Sequence, residues 1–256
     1  MFEFSSDYMR WEIEGHIGTI WLNRVSKRNA ITMGLVEDLG RLYNELKKAG
    51  MKALILAAEG DHFCAGLDLS AARDWSPFEG AKLSQDMYEV LDRLEFGDLP
   101  IVSSMHGAVI GGGLELVTAT HVRVAAKSCF YQLPEGKRGI FVGGGASVRV
   151  SRIMGADRMR EMMLTGRTID SEVGQNLGLS HYLVESGTQY EKAMELALLI
   201  STNAELSNFM TIKALPRIAD MGRAEGLLTE SIATAMTLTN PQAVESINRF
   251  LNKETK

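Results

Sequence analysis

Two segments of this chain combine glycines and small residues with carboxyl side chains, an arrangement that could act on a carbonyl compound. The first is His62–Leu69, HFCAGLDL, and the second is His106–Leu116, HGAVIGGGLEL. Each follows a predicted buried strand. Glycine permits close approach of a ligand to the backbone, and amides at a helix N-terminus point outward at the positive end of the helix dipole. The two segments could therefore supply backbone N–H groups that stabilise an oxyanion.

Glycine-rich turns between a strand and a helix are also common for structural reasons alone. Neither segment contains the GxxxxGK[ST] pattern of a phosphate-binding loop. The stretch Gly111–Glu115, GGGLE, also lacks the GxGxxG spacing and the distal acid of a dinucleotide site. The sequence therefore gives little support for nucleotide hydrolysis or for hydride transfer.

Taken together, FCAGLDL and HGAVIGGGLEL resemble the paired oxyanion-hole signature of the enoyl-CoA hydratase/isomerase (crotonase) superfamily. Two further segments agree with this resemblance. WLNRVSKRNAIT is similar to the family's L-N-R-P-x-x-x-N-A segment, and FYQLPEGKRGIFVGGGASVRV is similar to its F-x-x-P-E-x-x-x-G-x-x-P-x-x-G segment. The likeness covers most of the chain and is strongest from Ile20 to Gly166.

The resemblance implies roles for four positions. The backbone N–H groups of Leu67 and Gly112 fall where the family forms its oxyanion hole, and Glu115 and Glu135 fall where its hydratases carry two catalytic glutamates. Hydration needs one carboxylate to take a proton from water and a second group to deliver a proton to the α-carbon. The pair therefore favours an acyl-CoA hydratase acting on an α,β-unsaturated thioester. An enoyl-CoA isomerase or an acyl-CoA thioester hydrolase of the same superfamily is the alternative.

Both glutamates also have simpler structural interpretations. Glu115 could be a first-turn acid that the helix dipole stabilises, and Glu135 could be a surface turn residue after Pro134. The surroundings of Glu115, GGGLELV, are otherwise apolar. We therefore expect Glu115 to be buried, with a raised pKa.

The resemblance also implies a binding region for coenzyme A, which is part of the substrate. Phe250 and Lys253 resemble tail positions through which a neighbouring subunit touches coenzyme A in this family. For the basic cluster Arg24, Lys27 and Arg28, the alternative interpretation is a solvated surface. For Asp68, the alternative is a turn or N-cap acid. No metal or redox cofactor is expected. The other implied coenzyme A positions are Arg24, Lys27, Arg28, Ala30, Ala65, Asp68 and Leu69.

The chain departs from the family pattern at three places. Val25 and Val142 each replace a usual proline, and GGGASVRV stands where many hydratases have G-A-G-G-T-Q-R-L. These changes leave the predicted reaction in place. They bear on the acyl group, because we expect the segment Gly143–Ser147 to line or support the acyl side of the pocket.

Several other reactive side chains have structural interpretations. A serine hydrolase built on Ser103, Ser104 and His106 would need the GxSxG elbow, which this segment lacks. His62 and His121 are expected to be structural. Cys64 and Cys129 belong to no CxxC or Cys/His cluster and are expected to be core thiols, and Met159, Met162 and Met163 are expected to pack in the core.

Composition limits the classes of function. The chain has 256 residues, 45% hydrophobic residues and a formal net charge of −5, so composition gives no general attraction to nucleic acid or to an anionic membrane. A noncatalytic RNA-binding relative would predict a lysine-rich face, against which the acidic balance argues. The N-terminal residues do not resemble a signal or transit peptide, and no run reaches the ~18 apolar residues of a membrane helix. We expect a cytoplasmic protein.

The hydrophobic periodicity predicts an α/β fold. Strands are predicted at Met9–Glu14, His16–Leu22, Ala53–Ala58, Ile101–Ser104 and Val122–Ala126, and helices at Thr32–Ala49 and Ser84–Leu94. After Gly145 only helical periodicity is expected. The resemblance implies a crotonase (ClpP-like) spiral of repeated ββα units over residues 1–187, followed by a helical region at 188–256. That region is expected to form trimers, with hexamers as paired trimers.

Overall fold

The computed structural model describes residues 2–71 and 75–253, without the side chains of Ala71 and Lys253. Its strands are β1 Met9–Glu14, β2 Ile17–Leu22, β3 Ala53–Ala58, β4 Ile101–Met105, β5 Ala108–Ile110, β6 Val122–Ala126, β7 Phe130–Gln132, β8 Ile169–Asp170 and β9 Tyr182–Val184. Its helices are α1 Met33–Lys48, α2 Pro77–Glu95, α3 Gly112–Thr118, α4 Ala146–Met154, α5 Ala156–Thr165, α6 Ser171–Asn176, α7 Gln189–Ser201, α8 Glu205–Ile218, α9 Arg223–Leu238 and α10 Pro241–Lys253.

The main sheet has the strand order β1-β2-β3-β4-β6-β9. Strands β1 and β2 form an antiparallel hairpin, and every later neighbour pair in this sheet is parallel. A smaller sheet, in the order β5-β7-β8, begins directly after β4. The chain thus alternates between the two sheets, and the turns that leave the main sheet supply the loops of the candidate site.

Local sequence explains the main elements. All six residues of β3, ALILAA, are buried, as expected for a parallel strand covered on both faces. Helix α1 buries the apolar face that contains Leu35, Leu39, Leu42 and Leu46. Thr32 begins this helix, since its side-chain oxygen accepts a hydrogen bond from Leu35 N at 3.2 Å.

The expectation that strands end before the helical second half was wrong. Strand β9 pairs with β6, in the register Val124↔Tyr182, and forms the edge of the main sheet. Strand β8 likewise pairs with β7. Both are only two or three residues long, so neither shows a two-residue hydrophobic alternation, and only pairing with an existing sheet stabilises them.

Helix α7 lies beyond the predicted boundary at residue 187 and nevertheless belongs to the core. Its residues Ala193, Leu196 and Ala197 are buried against Ile55 and Val102 of the main sheet. Helices α1 and α2 contribute to the larger cluster of buried apolar side chains. Among the described residues, the helices after α7 bury only Ile212 and Gly226.

The three C-terminal helices expose many apolar side chains. Leu215, Leu228, Ile232 and Phe250 are 53–63% exposed, with Leu228 the highest at 63% and Ile232 the lowest at 53%. In the described chain, no helix combines the length and the apolar character needed to cross a membrane. The surface of α8–α10 is therefore a large apolar area that the isolated subunit leaves uncovered.

Candidate active site

The two glycine-rich segments lie side by side. Cys64 N donates to Ala108 O at 2.9 Å and Ile110 N donates to Cys64 O at 3.0 Å, so the first segment pairs with β5. On its other side, Ile31 N donates to Gly66 O at 2.8 Å. The stretch around Gly66 is therefore held between two neighbouring backbones.

Asn29 holds the first glycine-rich segment, His62–Leu69, in place. Its side chain is fully buried and accepts from Arg24 N at 2.8 Å, while its Nδ2 donates to Glu59 O and His62 O, each at 2.9 Å. Its φ of 54° lies in the left-handed region, which asparagine tolerates better than most residues. The asparagine of the NA motif thus ties the N-terminal loop to the loop that carries Leu67.

The backbone amides of Leu67 and Gly112 lie close together. A Cβ atom added at Gly112 would lie 3.5 Å from Leu67 N, so the two peptide groups are neighbours. Gly112 is the first residue of α3, where N–H groups have no acceptor within the helix. In the described part of the chain, neither amide donates to a protein acceptor. Two neighbouring N–H groups of this kind are able to stabilise an oxyanion.

Glycine is required beside these amides. Gly66 has a φ of +92°, and a Cβ atom there would lie 2.9 Å from Ile110 O. Gly111 has a φ of +51°, and a Cβ atom there would lie 2.7 Å from Glu135 Oε1. Both the backbone conformation and the available space therefore exclude a side chain.

Glu115 lies in the first turn of α3 and is only 4% exposed. Its Oε1 accepts hydrogen bonds from Gly144 N at 2.7 Å and from Ala146 N at 3.2 Å. The segment that the sequence placed on the acyl side of the pocket therefore also holds this carboxyl group. The first-turn interpretation describes its position correctly but does not account for its burial.

Glu135 follows Pro134 at the start of a short 3₁₀ turn, Glu135–Arg138. It is 7% exposed, so the interpretation as a surface turn residue was wrong. Among the described residues, no group donates to its buried Oε2. A buried carboxyl oxygen without a donor is unfavourable for folding and is typical of functional sites.

The two carboxyl groups share one electrostatic environment. Burial raises the pKa of Glu115, against the opposing effect of the Ala146 and Gly144 amides and the Arg149 guanidinium. Burial and, to a smaller extent, the nearby Glu115 raise the pKa of Glu135 to about 7, against the opposing effects of its own backbone amide and of Arg138. Glu115 thus has donors and a cation that favour its anion, whereas nothing donates to Glu135 Oε2 in the described chain.

Both carboxyl groups and both amides line one cavity of about 630 Å³. Most predicted coenzyme A positions line it as well, namely Lys27, Arg28, Ala30, Ala65, Asp68 and Leu69. Its other walls include side chains that sequence reasoning did not select, such as Trp75, Leu83, Met87, Arg138, Ile140 and Phe141. Ile140 and Phe141 lie within the segment that carried the family resemblance, but the motif did not indicate that they line the cavity.

Arg24 does not line this cavity, in contrast to the prediction. Its Nη1 donates to Asp68 Oδ2 at 2.7 Å and to Ala30 O at 3.1 Å. Hydrogen bonds from Ser70, together with this ion pair, hold the pKa of Asp68 well below its usual range. Arg24 thus holds the loop in place, and Asp68 Oδ1 accepts hydrogen bonds from Ser70 N and Ser70 Oγ in a local turn.

The predicted tail contacts are absent from this subunit's own cavity. Phe250 is 62% exposed on α10 and does not line the cavity. The side chain of Lys253 lies outside the described residues. A contribution of these residues to a neighbouring subunit's site stays a prediction.

The remaining candidates have structural contacts. His62 Nδ1 accepts from Ala108 N at 3.2 Å, and His121 Nδ1 accepts from Ile101 N at 2.9 Å. Of the expected core side chains, Cys64, Cys129, Met159 and Met162 are buried, and Met163 is partly buried and packs against the core. In the two described ranges, no group of three or more histidine, cysteine, aspartate or glutamate side chains has an arrangement that could hold a metal ion.

This fold and this pair of loops define the class of the protein. Residues 12–256 match the enoyl-CoA hydratase/isomerase family, and the chain belongs to that family. The predicted crotonase fold is confirmed by solved structures. A "putative enoyl-CoA hydratase" from Rhodopseudomonas palustris has a TM-score of 0.94 and 43% identity, covering 97% of this chain and 96% of that one. An enoyl-CoA hydratase from Bacillus anthracis has a TM-score of 0.90 and 26% identity, covering 96% and 97%.

The names of its relatives refer to both hydratases and isomerases. The chain is 30% identical to the enoyl-CoA isomerase/hydratase fer4 of Mycosarcoma maydis, over 91% of this chain and 88% of that protein. It is 25% identical to a short-chain-enoyl-CoA hydratase of Clostridium acetobutylicum, over 94% of each. The family is therefore established, and the choice between hydration and isomerisation depends on the site itself.

Proposed function

We propose that this protein is an acyl-CoA hydratase, which adds water across the double bond of an α,β-unsaturated acyl-CoA thioester. The observation that carries the proposal is the presence of Glu115 and Glu135 in one cavity beside two unpaired backbone amides. Hydration uses two proton-transferring groups, whereas moving a double bond or hydrolysing a thioester can be served by one.

The two amides act on the thioester oxygen. Hydrogen bonds from Leu67 N and Gly112 N polarise the carbonyl and stabilise the negative charge that develops when the β-carbon is attacked. Loss of one such donor in other enzymes costs ~2.7–4 kcal/mol of transition-state stabilisation. Because only backbone atoms are used, the Leu67 side chain is free to serve as part of the cavity wall.

The two glutamates have different tasks. Glu115 orients water and takes its proton, since the Gly144 and Ala146 amides and the Arg149 guanidinium favour its anion. Glu135 delivers a proton to the α-carbon, because a pKa raised by burial to about 7 keeps a large fraction protonated at neutral pH. The water oxygen bonds to the β-carbon, and the double bond is lost.

The cavity walls suggest how the substrate lies. Lys27 and Arg28, at one part of the wall, suit the phosphates of coenzyme A. Leu83, Ile140 and Phe141 are apolar and suit the acyl chain. The proposed compartment is the cytoplasm, where the two buried thiols would remain reduced.

No metal or redox cofactor is needed for this chemistry, because the thioester activates the alkene and the backbone supplies the electrophile. We expect full activity after exhaustive treatment with a chelator. Loss of activity that a divalent ion restores would contradict the mechanism.

A panel of enoyl-CoA esters tests the proposal. Trans-2-enoyl-CoA esters that differ in chain length and β-substituent are incubated with the protein, and loss of the enoyl absorbance is followed. The proposal predicts hydration of at least one ester to the 3-hydroxyacyl product. Conversion of 3-enoyl to 2-enoyl esters without hydration, or release of free coenzyme A, would favour the isomerase or the hydrolase instead.

A further inference from the structure

In the segment Gly143–Ala146, the first two carbonyl groups each accept a hydrogen bond from a side chain. Ser84 Oγ, on α2, donates to Gly143 O at 2.5 Å. Arg149 Nη1, on α4, donates to Gly144 O at 2.7 Å. The same segment gives the Gly144 and Ala146 amides to Glu115 Oε1. What holds this segment in place therefore also holds the Glu115 carboxylate.

Of the two donors, Arg149 makes more hydrogen bonds than Ser84. It is 6% exposed, and all three of its guanidinium nitrogens have acceptors. Besides Gly144 O, Nη2 donates to Asp92 Oδ1 at 2.7 Å and Nε donates to Glu95 Oε2 at 2.5 Å. Both acids lie on α2, so one guanidinium joins α2, α4 and the glycine segment.

The ion pairs of Arg149 with Asp92 and Glu95 orient the guanidinium group, and they contribute little to the stability of the fold. The Asp92 side chain is 54% exposed and that of Glu95 is 22% exposed, and ion pairs with such exposure contribute little to stability. A planar guanidinium held at two edges by acids has little freedom of orientation. Its remaining N–H therefore meets the Gly144 carbonyl at a defined position.

We propose that Arg149 is a positioning residue for the reaction: held by Asp92 and Glu95, it fixes the Gly144–Gly145 peptide so that the flanking amides of Gly144 and Ala146 orient Glu115 toward the attacking water. The inference rests on the proposed function. Fixing the Gly144 carbonyl also fixes the adjoining peptide planes. A misplacement of ~1 Å at a reacting group can cost about 10²-fold in rate.

The positive charge of Arg149 also supports the role of Glu115 as the base. It lowers the pKa of Glu115 against the larger effect of burial, and so favours the anion that takes the proton from water. The charged groups near Glu115 and Arg149 are Glu135 from the 3₁₀ turn, whose pKa Glu115 raises, and Asp92 and Glu95 from α2, which pair with Arg149. Loss of the guanidinium should therefore raise the pKa of the water-activating carboxylate.

A second cavity makes the inference open to a chemical test. It has a volume of about 420 Å³ and is lined, among others, by Asp92, Glu95, Gly145 and Arg149. Truncation of Arg149 would enlarge this cavity by the space that the guanidinium now fills beside the two acids. A small guanidinium ion could then enter that space and replace the missing head group.

The first experiment compares Arg149→Met with Arg152→Met, using the full-length protein and an enoyl-CoA that the wild type hydrates. Arg152 lines the same cavity but is exposed, and its contact is an ion pair with Asp220. We expect Arg149→Met to lower kcat by about 10²-fold with KM changed less than about threefold, and to move the acid limb of kcat/KM to higher pH. Arg152→Met should match the wild type.

Arg149→Lys keeps the charge but cannot make all three contacts. We expect its acid limb to stay near that of the wild type while kcat falls by roughly tenfold. This variant keeps the inference testable if the methionine variant does not fold. Wild-type kcat in either folded variant would overturn the inference.

The second experiment adds methylguanidinium at low millimolar concentration to Arg149→Ala. We expect a saturable recovery of kcat, which equal concentrations of sodium chloride or urea do not give. A folded variant that stays impaired and is not rescued would reduce Arg149 to a structural role and overturn the inference. An inactive wild type would instead overturn the proposed function, and the inference with it.

Discussion

At the scale of single residues, Glu135 shows a conflict between catalysis and stability. Its carboxyl group is buried, and none of the described residues donates to Oε2. Burial and the neighbouring Glu115 raise its pKa from 4.5 to about 7. The folded protein therefore binds this proton more tightly than the unfolded chain does.

This difference predicts a pH-dependent gain in stability for Glu135→Gln. The favourable contribution of the protonated group is fully present below pH 4.5 and is lost as pH rises through about 7. Each pKa unit corresponds to about 1.4 kcal/mol. Urea unfolding at pH 8 should show the variant to be about 1–3 kcal/mol more stable than the wild type, with the difference shrinking toward pH 5.

The control is Glu89→Gln, at an exposed position on α2, which should leave the free energy of unfolding within ~0.5 kcal/mol of wild type at both pH values. A Glu135→Gln protein that is less stable at pH 8 than at pH 5, relative to wild type, would contradict the assignment of a protonated buried acid.

Among single residues, those that lie within a family motif were the easiest to select from the sequence. The positions of Glu115, Glu135, Leu67 and Gly112 followed from the family resemblance, and the structure brings all four to one cavity. The contacts of Arg24 could not be predicted, because the direction of a long side chain depends on its acceptors. Those acceptors, Asp68 and Ala30, are brought beside it only by the fold.

At the scale of elements, the glycine segment between the 3₁₀ turn and α4 determines the geometry of the site. A Cβ atom added at Gly144 would lie 2.8 Å from Glu115 Oε2 and 2.7 Å from Met87 Cε. The φ of Gly144 is not in the left-handed region, so alanine would add a steric conflict without backbone strain.

Gly144→Ala should therefore fold normally and displace the Glu115 carboxyl group. We expect kcat for hydration to fall by about 10–10²-fold, with an unchanged far-ultraviolet circular dichroism spectrum. Gly226→Ala on α9 is the matched control, because its added Cβ makes only ordinary contacts of 3.4 Å or more. Wild-type kcat in Gly144→Ala would show that this segment does not constrain Glu115.

Long elements were predictable and short ones were not. Helix α1 and strand β3 have clear periodicity or a continuous apolar run, and both lie where the sequence placed them. Strands β8 and β9 exist only because β7 and β6 offer them backbone partners. Helix α7 was predicted as a helix, but its packing on the main sheet depends on three-dimensional proximity.

At the scale of the whole molecule, the exposed apolar side chains of α8–α10 support the proposal of a trimer. Residues such as Leu215, Leu228 and Ile232 are more than half exposed in the single subunit. Exposed apolar areas of this kind mark sites of protein association. We propose that a trimer, or a hexamer of two trimers, covers them.

Size-exclusion chromatography with light scattering should show a trimer or hexamer at micromolar concentration. The mass should not fall in 1 M salt, because an interface built on apolar burial is little affected by charge screening. A stable monomer at this concentration would contradict the proposed assembly.

The most direct test of the central claim is the hydration rate of Glu115→Gln, Glu135→Gln and the double variant. Each single change should lower kcat by ~10²–10⁴-fold, because each removes a positioned acid or base. The double variant should be little slower than the poorer single variant, since the two groups act on one reaction as a unit. A folded single variant that hydrates enoyl-CoA at a rate near that of the wild type would contradict the two-carboxylate mechanism.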